Sequence, residues 1–199
     1  MSEIVASNLW WPGMAGASVN ADGVLYDAVG TQFRIVGSGQ YEIASVDLPL
    51  SGISGGIPPG LITVGIYVAD GLPTGSAILS GVFNGSEMPL LAPPQQLSAM
   101  GRNVPLTGDP LTGGVIYAVV AAPQFPSEGF RWYVDWGTYL ALRRRIETGK
   151  WEAVAVSGGL RVWGSQKTDA PGKPKNPNPA NAAVSVALGL SLLTWESGS

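Results

Sequence analysis

Apolar and polar residues alternate with a period of two along much of this chain, and no amphipathic stretch of period 3.6 rich in Ala, Leu, Glu and Lys interrupts them. The strongest tract is 61–68, with Ile62, Val64, Ile66 and Val68 on one face and Leu61, Thr63, Gly65 and Tyr67 on the other. Both faces are largely apolar, so this strand is expected inside a sheet and not at its edge. Upstream, 31–35 and 40–50 alternate around a turn at Ser38-Gly39, with Tyr41, Ile43, Val46, Leu48 and Leu50 as the apolar set. The step from Ile43 to Val46 breaks the period, which predicts a bulge or a strand corner there. Asp70-Gly71 and Pro73-Thr74-Gly75 read as tight turns.

Downstream the pattern predicts strands at 78–83, 115–122 and 130–136, then a pair, 139–146 with 150–156, across Thr148-Gly149, and a closing strand at 160–163. Residues 51–60 and 87–110 read as loops. The expectation is an all-β protein: a jelly-roll-like antiparallel β-sandwich of about nine strands. Residues 1–21 read as an N-terminal arm, 22–165 as the sandwich, 166–181 as a Pro-rich linker, and 182–199 as the start of a second β domain or a strand-donating tail. Two strands alone are marginal in water, so the tail is expected either to open a domain that continues past Ser199 or to complete a sheet in another chain.

Composition agrees with a turn-rich β protein. There are 28 Gly and 16 Pro in 199 residues, and charged residues make up 13%, about half the usual quarter. Absence of Cys removes disulfides as staples. A net charge of -3 gives no electrostatic footprint for nucleic acid, and the run Arg143-Arg144-Arg145 reads as a solvated strand or turn, or as a contact for phosphate or an acidic partner. No apolar stretch is long enough for membrane insertion as a helix, and the N-terminal residues lack the pattern of a signal peptide.

The tract from Gln32 to Gly164, about two thirds of the chain, resembles the jelly-roll β-sandwich modules of phage virion proteins and of secreted modular bacterial proteins. Tyr67-Val68-Ala69-Asp70-Gly71-Leu72-Pro73-Thr74-Gly75 carries the resemblance most clearly, followed by 132–139. Pro174-Lys175-Asn176-Pro177-Asn178-Pro179-Ala180-Asn181, with 190–195, is similar to the opening strands of a fibronectin type III or Ig-like domain, in which the Trp at the position of Trp195 belongs to the core. Together the resemblances imply a string of β modules, as in phage fibres, tail appendages or bacterial adhesins, and neither implies catalysis.

The chain has no His, which excludes Ser-His-Asp and Cys-His nucleophiles, His-ligated metals and an imidazole base. Carboxylate chemistry survives on paper, but Asp47, Asp70, Glu128, Asp135, Glu147 and Glu152 show no diagnostic pairing. No cofactor is expected, with a structural calcium ion held through backbone carbonyls left open.

Aromatic residues are the other lead. Alternation puts Trp132 and Trp136 on one strand face and Tyr133 on the other. Trp132 and Trp151 are expected between the sheets, while Trp136, Tyr139 and Tyr133 are the candidate carbohydrate contacts. Trp10, Trp11, Val184, Val186, Leu188, Leu190, Leu192 and Trp195 are the candidate assembly contacts. The leading expectation is a non-enzymatic structural or assembly module of a bacteriophage particle (tail, fibre or decoration protein), located in the virion and partnered by copies of itself or other virion proteins. The alternative is a carbohydrate-binding adhesion module of a larger extracellular or cell-surface protein, with a cell-surface glycan as partner.

Overall fold

A computed structural model describes residues 2–8, 17–22, 24–52, 60–88, 101–125, 129–135, 138–167, 172–178 and 194–198. The chain divides into two compact units, 1–167 and 168–199. The first is an antiparallel β-sandwich, and its described residues contain no α-helix, only a single 3-10 turn at Gly85–Glu87.

Sheet I is built from β1 (Glu3–Asn8), β15 (Leu160–Gln166), β4 (Gln40–Gly52), β11 (Phe130–Asp135) and β14 (Ser157–Gly158), in that order. Three further strands join it: β2 (Ala17–Ala21) on β11, and β7 (Gly101–Pro105) and β9 (Leu111–Thr112) on β4. Sheet II runs β13 (Trp151–Val154), β12 (Ala141–Arg145), β3 (Tyr26–Arg34), β10 (Ile116–Pro123), β5 (Leu61–Asp70), β6 (Leu72–Asn84) and β8 (Thr107–Gly108). The chain crosses between sheets at most connections, β3 to β4 and β10 to β11 among them, and stays within one sheet at β1–β2, β5–β6, β12–β13 and β14–β15, which gives the jelly-roll-like winding.

The hydrophobic alternation explains the layering. Val29 and Phe33, Ile62, Val64 and Ile66, and Val119 face inward from sheet II, against Val46, Leu48, Leu50, Trp132, Leu160 and Val162 of sheet I. The broken period in β4 is a bulge: Ser45 pairs with Trp163 and Ile43 with Gly164, so Ala44 has no opposite residue on β15. Its carbonyl instead accepts the Leu106 N–H at 3.0 Å. The extra residue lets Tyr41 and Ile43 share the inner face with Val46, Leu48 and Leu50.

The structure departs from the sequence reading in several places. The segment read as an arm, 1–21, contributes β1 and β2 to sheet I, β1 pairing with β15 and β2 with β11. The segment read as a loop, 87–110, contains β7 and β8, whose Gly, Pro and Asn content hid them. Pro73-Thr74-Gly75 belongs to β6, because Thr74 and Pro73 pair with Val68 and Ala69; the hairpin turns at Gly71, where φ is 73°. β5 is internal as expected, yet Leu61 and Val68 are 46% and 42% exposed, since its ends pass beyond the core. The second unit holds β16 (Gly172–Asn178) and β17 (Thr194–Gly198), paired antiparallel. β16 thus lies within the segment read as a linker.

Candidate functional site

Sheet II has a second apolar face, turned away from the core. Ala28 of β3, Ala118 and Val120 of β10, Ala69 of β5 and Leu142 of β12 form a buried cluster there, separate from the inner core. These side chains are mostly small, and at 0–7% exposure they are covered by what packs on them. Tyr67 and Trp151 pack against it from β5 and β13, as two half-buried aromatic rings. Between them lies a cleft of about 440 Å³ lined by Tyr67, Trp151, Arg144 and Ser76 over a floor of Ala28, Val120 and Ala122.

Local register builds each wall. Ile66 pairs with Leu79 and Val68 with Thr74, so Tyr67 alone stands opposite the four residues 75–78 of β6. That bulge begins at Gly75, whose φ of 70° suits glycine, and it brings Gly75, Ser76 and Ala77 to the rim beside Pro73. Tyr67 lies across Gly65, two positions earlier on the same strand face: a Cβ on Gly65 would sit 2.9 Å from the ring. A bare glycine therefore leaves the space the phenol ring occupies.

Trp151 is set by the β12–β13 hairpin. The Gly149 N–H donates to the Arg145 carbonyl at 2.8 Å, Gly149 having a φ of 63°, and Trp151 then stands directly opposite Arg144. The Arg144 guanidinium carbon is 5.7 Å from the centre of the Trp151 ring. Its Nε and Nη2 donate to Oδ1 and Oδ2 of Asp27 at 2.9 and 3.1 Å, a bidentate pair.

The neighbouring arginines are engaged on the other side of β12. Arg143 donates from Nε to Glu152 at 3.2 Å, and Arg145 donates to the other oxygen of the same carboxylate. The Arg143 guanidinium also lies 4.2 Å from the centre of the Tyr26 ring, whose hydroxyl donates to Glu152 at 3.2 Å. The Arg145 hydrogen bond holds the Glu152 carboxyl below its ordinary value, and the same bond raises Arg145.

The candidate carbohydrate contacts fare differently. Tyr133 is 5% exposed, and its oxygen accepts a hydrogen bond from the Ser51 hydroxyl at 3.2 Å, so it presents no ring to solvent. The face of sheet I opposite Trp132 is covered too, which alternation alone could not reveal. Tyr139 is half-buried between β11 and β12, away from the cleft lining, and Trp136 lies outside the described residues. Trp132 packs between the sheets as expected, fully buried, with Nε1 donating to the Gly159 carbonyl at 2.9 Å. Trp151 does not: it stands on the outer face. Trp10, Trp11, Val184, Val186, Leu188, Leu190 and Leu192 lie outside the described residues, and Trp195 is on β17.

The site missed from sequence is thus the Tyr67–Trp151 cleft. Two signals pointed to it: glycine two residues before a tyrosine on a strand, and an arginine facing a tryptophan across a hairpin. Chemically the cleft is lined by two half-buried aromatic side chains, the hydroxyl-bearing Ser76 and a paired guanidinium; no carboxylate is among its described lining residues. A second cleft, of about 470 Å³, is lined by Glu42, Asp109, Lys167 and Leu106, with no aromatic ring among its described lining residues. Among the described residues no three His, Cys, Asp or Glu side chains gather as a metal site requires. No protein-family model and no curated protein sequence matches this chain.

Proposed function

We propose that this chain is a non-catalytic carbohydrate-binding module, and that the outer face of sheet II holds the sugar. The observation that carries the reading is the pair of half-buried rings, Tyr67 and Trp151, flanking an open cleft floored by Ala28, Val120 and Ala122. A pyranose has an apolar face of C–H groups and a rim of hydroxyls. It stacks on an aromatic face and needs a few neutral donors and acceptors at the edge, as Ser76 provides. Ala122 keeps partial exposure while Ala28 and Val120 are covered, so a sugar would meet the ring walls and the exposed rim at Gly75, Ser76 and Ala77. A sequence without His, and a cleft whose described lining has no carboxylate, favour holding a glycan over cleaving one.

The test is equilibrium binding of the full chain to a panel of oligosaccharides, with Trp151→Ala and Ser76→Arg alongside. Ser76 is exposed on the rim, so its substitution obstructs the cleft without removing a packed side chain. Saturable binding lost in both variants supports the reading. Binding that survives both places the glycan elsewhere, and a panel with no binder overturns it.

A second reading, the assembly module of a bacteriophage particle, is favoured by the two-stranded ribbon of β16 and β17, since such a ribbon gains stability when another sheet covers or extends it. Light scattering on 1–199 and 1–167 tests it: oligomers of the longer chain alone support assembly through the second unit. The readings are compatible, because a module on a particle or cell surface can both build and bind.

A further inference from the structure

We infer that the cleft selects uncharged sugars, and that the Asp27–Arg144 ion pair is the device that excludes acidic ones. The inference rests on the carbohydrate reading above. Arg144 is the one charged side chain among the described lining residues, and an arginine beside a tryptophan is a natural receptor for the carboxylate of a uronate or sialyl residue. Here its side-on fork is already filled, Nε and Nη2 holding both oxygens of Asp27 at 2.9 and 3.1 Å. A sugar carboxylate arriving at Trp151 meets an ion pair of no net charge, whose Asp27 carboxylate repels it.

Asp27 is held there by the backbone. Across β3 and β12, Ala28 pairs with Arg144 and Tyr26 with Arg145, so Asp27 is the extra residue of a bulge beside Arg144. The adjacent arginines do not line the cleft and share Glu152. Each member of the run Arg143-Arg144-Arg145 therefore has its carboxylate within the chain, and a chain of net charge -3 adds a further bias against anionic glycans.

The experiment titrates the full chain and its Asp27→Asn variant with neutral oligosaccharides and with their uronate or sialylated counterparts, fold being checked by circular dichroism. The wild-type chain is expected to bind neutral members only, with affinity unchanged between about 50 and about 500 mM NaCl. Asp27→Asn is expected to keep neutral binding within about twofold and to gain roughly tenfold or more toward acidic members, as one new charge-assisted bond would give, and salt should abolish that gain. Wild-type preference for acidic glycans, or salt-sensitive neutral binding, overturns the inference while leaving the carbohydrate reading standing, and these two readouts decide the matter even if the variant fails to fold. A folded variant that binds neutral sugars and gains nothing toward acidic ones shows that Asp27 is not the gate. Absence of any binding in the wild-type chain removes both the reading and the inference.

Discussion

Gly65→Ala separates the cleft from the fold. Gly65 is buried on β5 between Val120 of β10 and Ser80 of β6, and its φ is outside the left-handed region, so the backbone itself accepts alanine. The added Cβ would lie 2.9 Å from Cε2 of Tyr67 and 3.1 Å from its hydroxyl oxygen, so the ring must move. Reduced freedom of the unfolded chain contributes about 0.4–1 kcal/mol in favour of alanine, and displacing a half-buried ring from the apolar floor costs about 1–2 kcal/mol. Net stability should fall by no more than about 1.6 kcal/mol, a melting shift of at most about 6 °C. Glycan affinity should fall by roughly tenfold, because one wall of the cleft is lost. Gly81→Ala is the control. Its Cβ would lie 2.1 Å from the Pro105 carbonyl oxygen, a backbone atom of β7 that cannot swing aside, so strands must part at a cost of about 2–3 kcal/mol, with the cleft untouched. Thermal denaturation and calorimetric titration of both variants read the two quantities separately. Full affinity in Gly65→Ala, or destabilisation equal to that of Gly81→Ala, would refute the reasoning.

Other perturbations probe the frame. Trp132→Ala removes a fully buried ring and its bond to Gly159, a loss of about 4–5 kcal/mol, so the variant should be largely unfolded by circular dichroism, whereas Trp151→Ala should lose less than about 2 kcal/mol and stay folded. Partial burial pushes the Asp22 carboxyl up, but bonds from the N–H groups of Tyr26, Val24 and Leu25 outweigh it and hold the group below its ordinary 3.8. With the folded value lower than the unfolded one, this stabilisation is complete above pH 3.8 and is lost as pH falls through the folded value. Asp22→Asn keeps the acceptor oxygen without titrating, so its denaturation midpoint should depend less on pH in that acid range than the wild-type midpoint does. Glu152→Gln leaves Arg143 and Arg145 adjacent without their carboxylate; the resulting drop in melting temperature should shrink as salt rises, and a salt-independent drop would argue for lost packing instead.

Strands with long alternation were legible in the sequence: β4 with its bulge at Ala44, β5 inside its sheet, β10, and the β12–β13 hairpin at Thr148-Gly149. The period of two reports that two faces exist but not which one is the core. Trp151 was therefore assigned inward when it stands outward on a short edge strand, and Tyr133 was counted as a sugar contact although sheet I buries both of its faces at that point. β1, β2, β7 and β8 were not legible as sandwich strands because their places come from partners distant in sequence, such as β15 for β1 and β4 for β7. The cleft has the same origin. Tyr67, Ser76, Arg144 and Trp151 come from four strands, and only sheet order and a four-residue bulge bring them together.

The most direct test of the central claim is a two-dimensional NMR titration of the full chain with neutral oligosaccharides, following the indole N–H signals of the seven Trp and the backbone amides. The account predicts saturable shifts at the Trp151 indole and at the amides of Ala28, Tyr67, Ser76 and Val120, with the Trp132 indole and the Glu42–Asp109–Lys167 cleft unmoved. Shifts confined to that second cleft, or no saturable shift at Trp151 with any sugar, would contradict it.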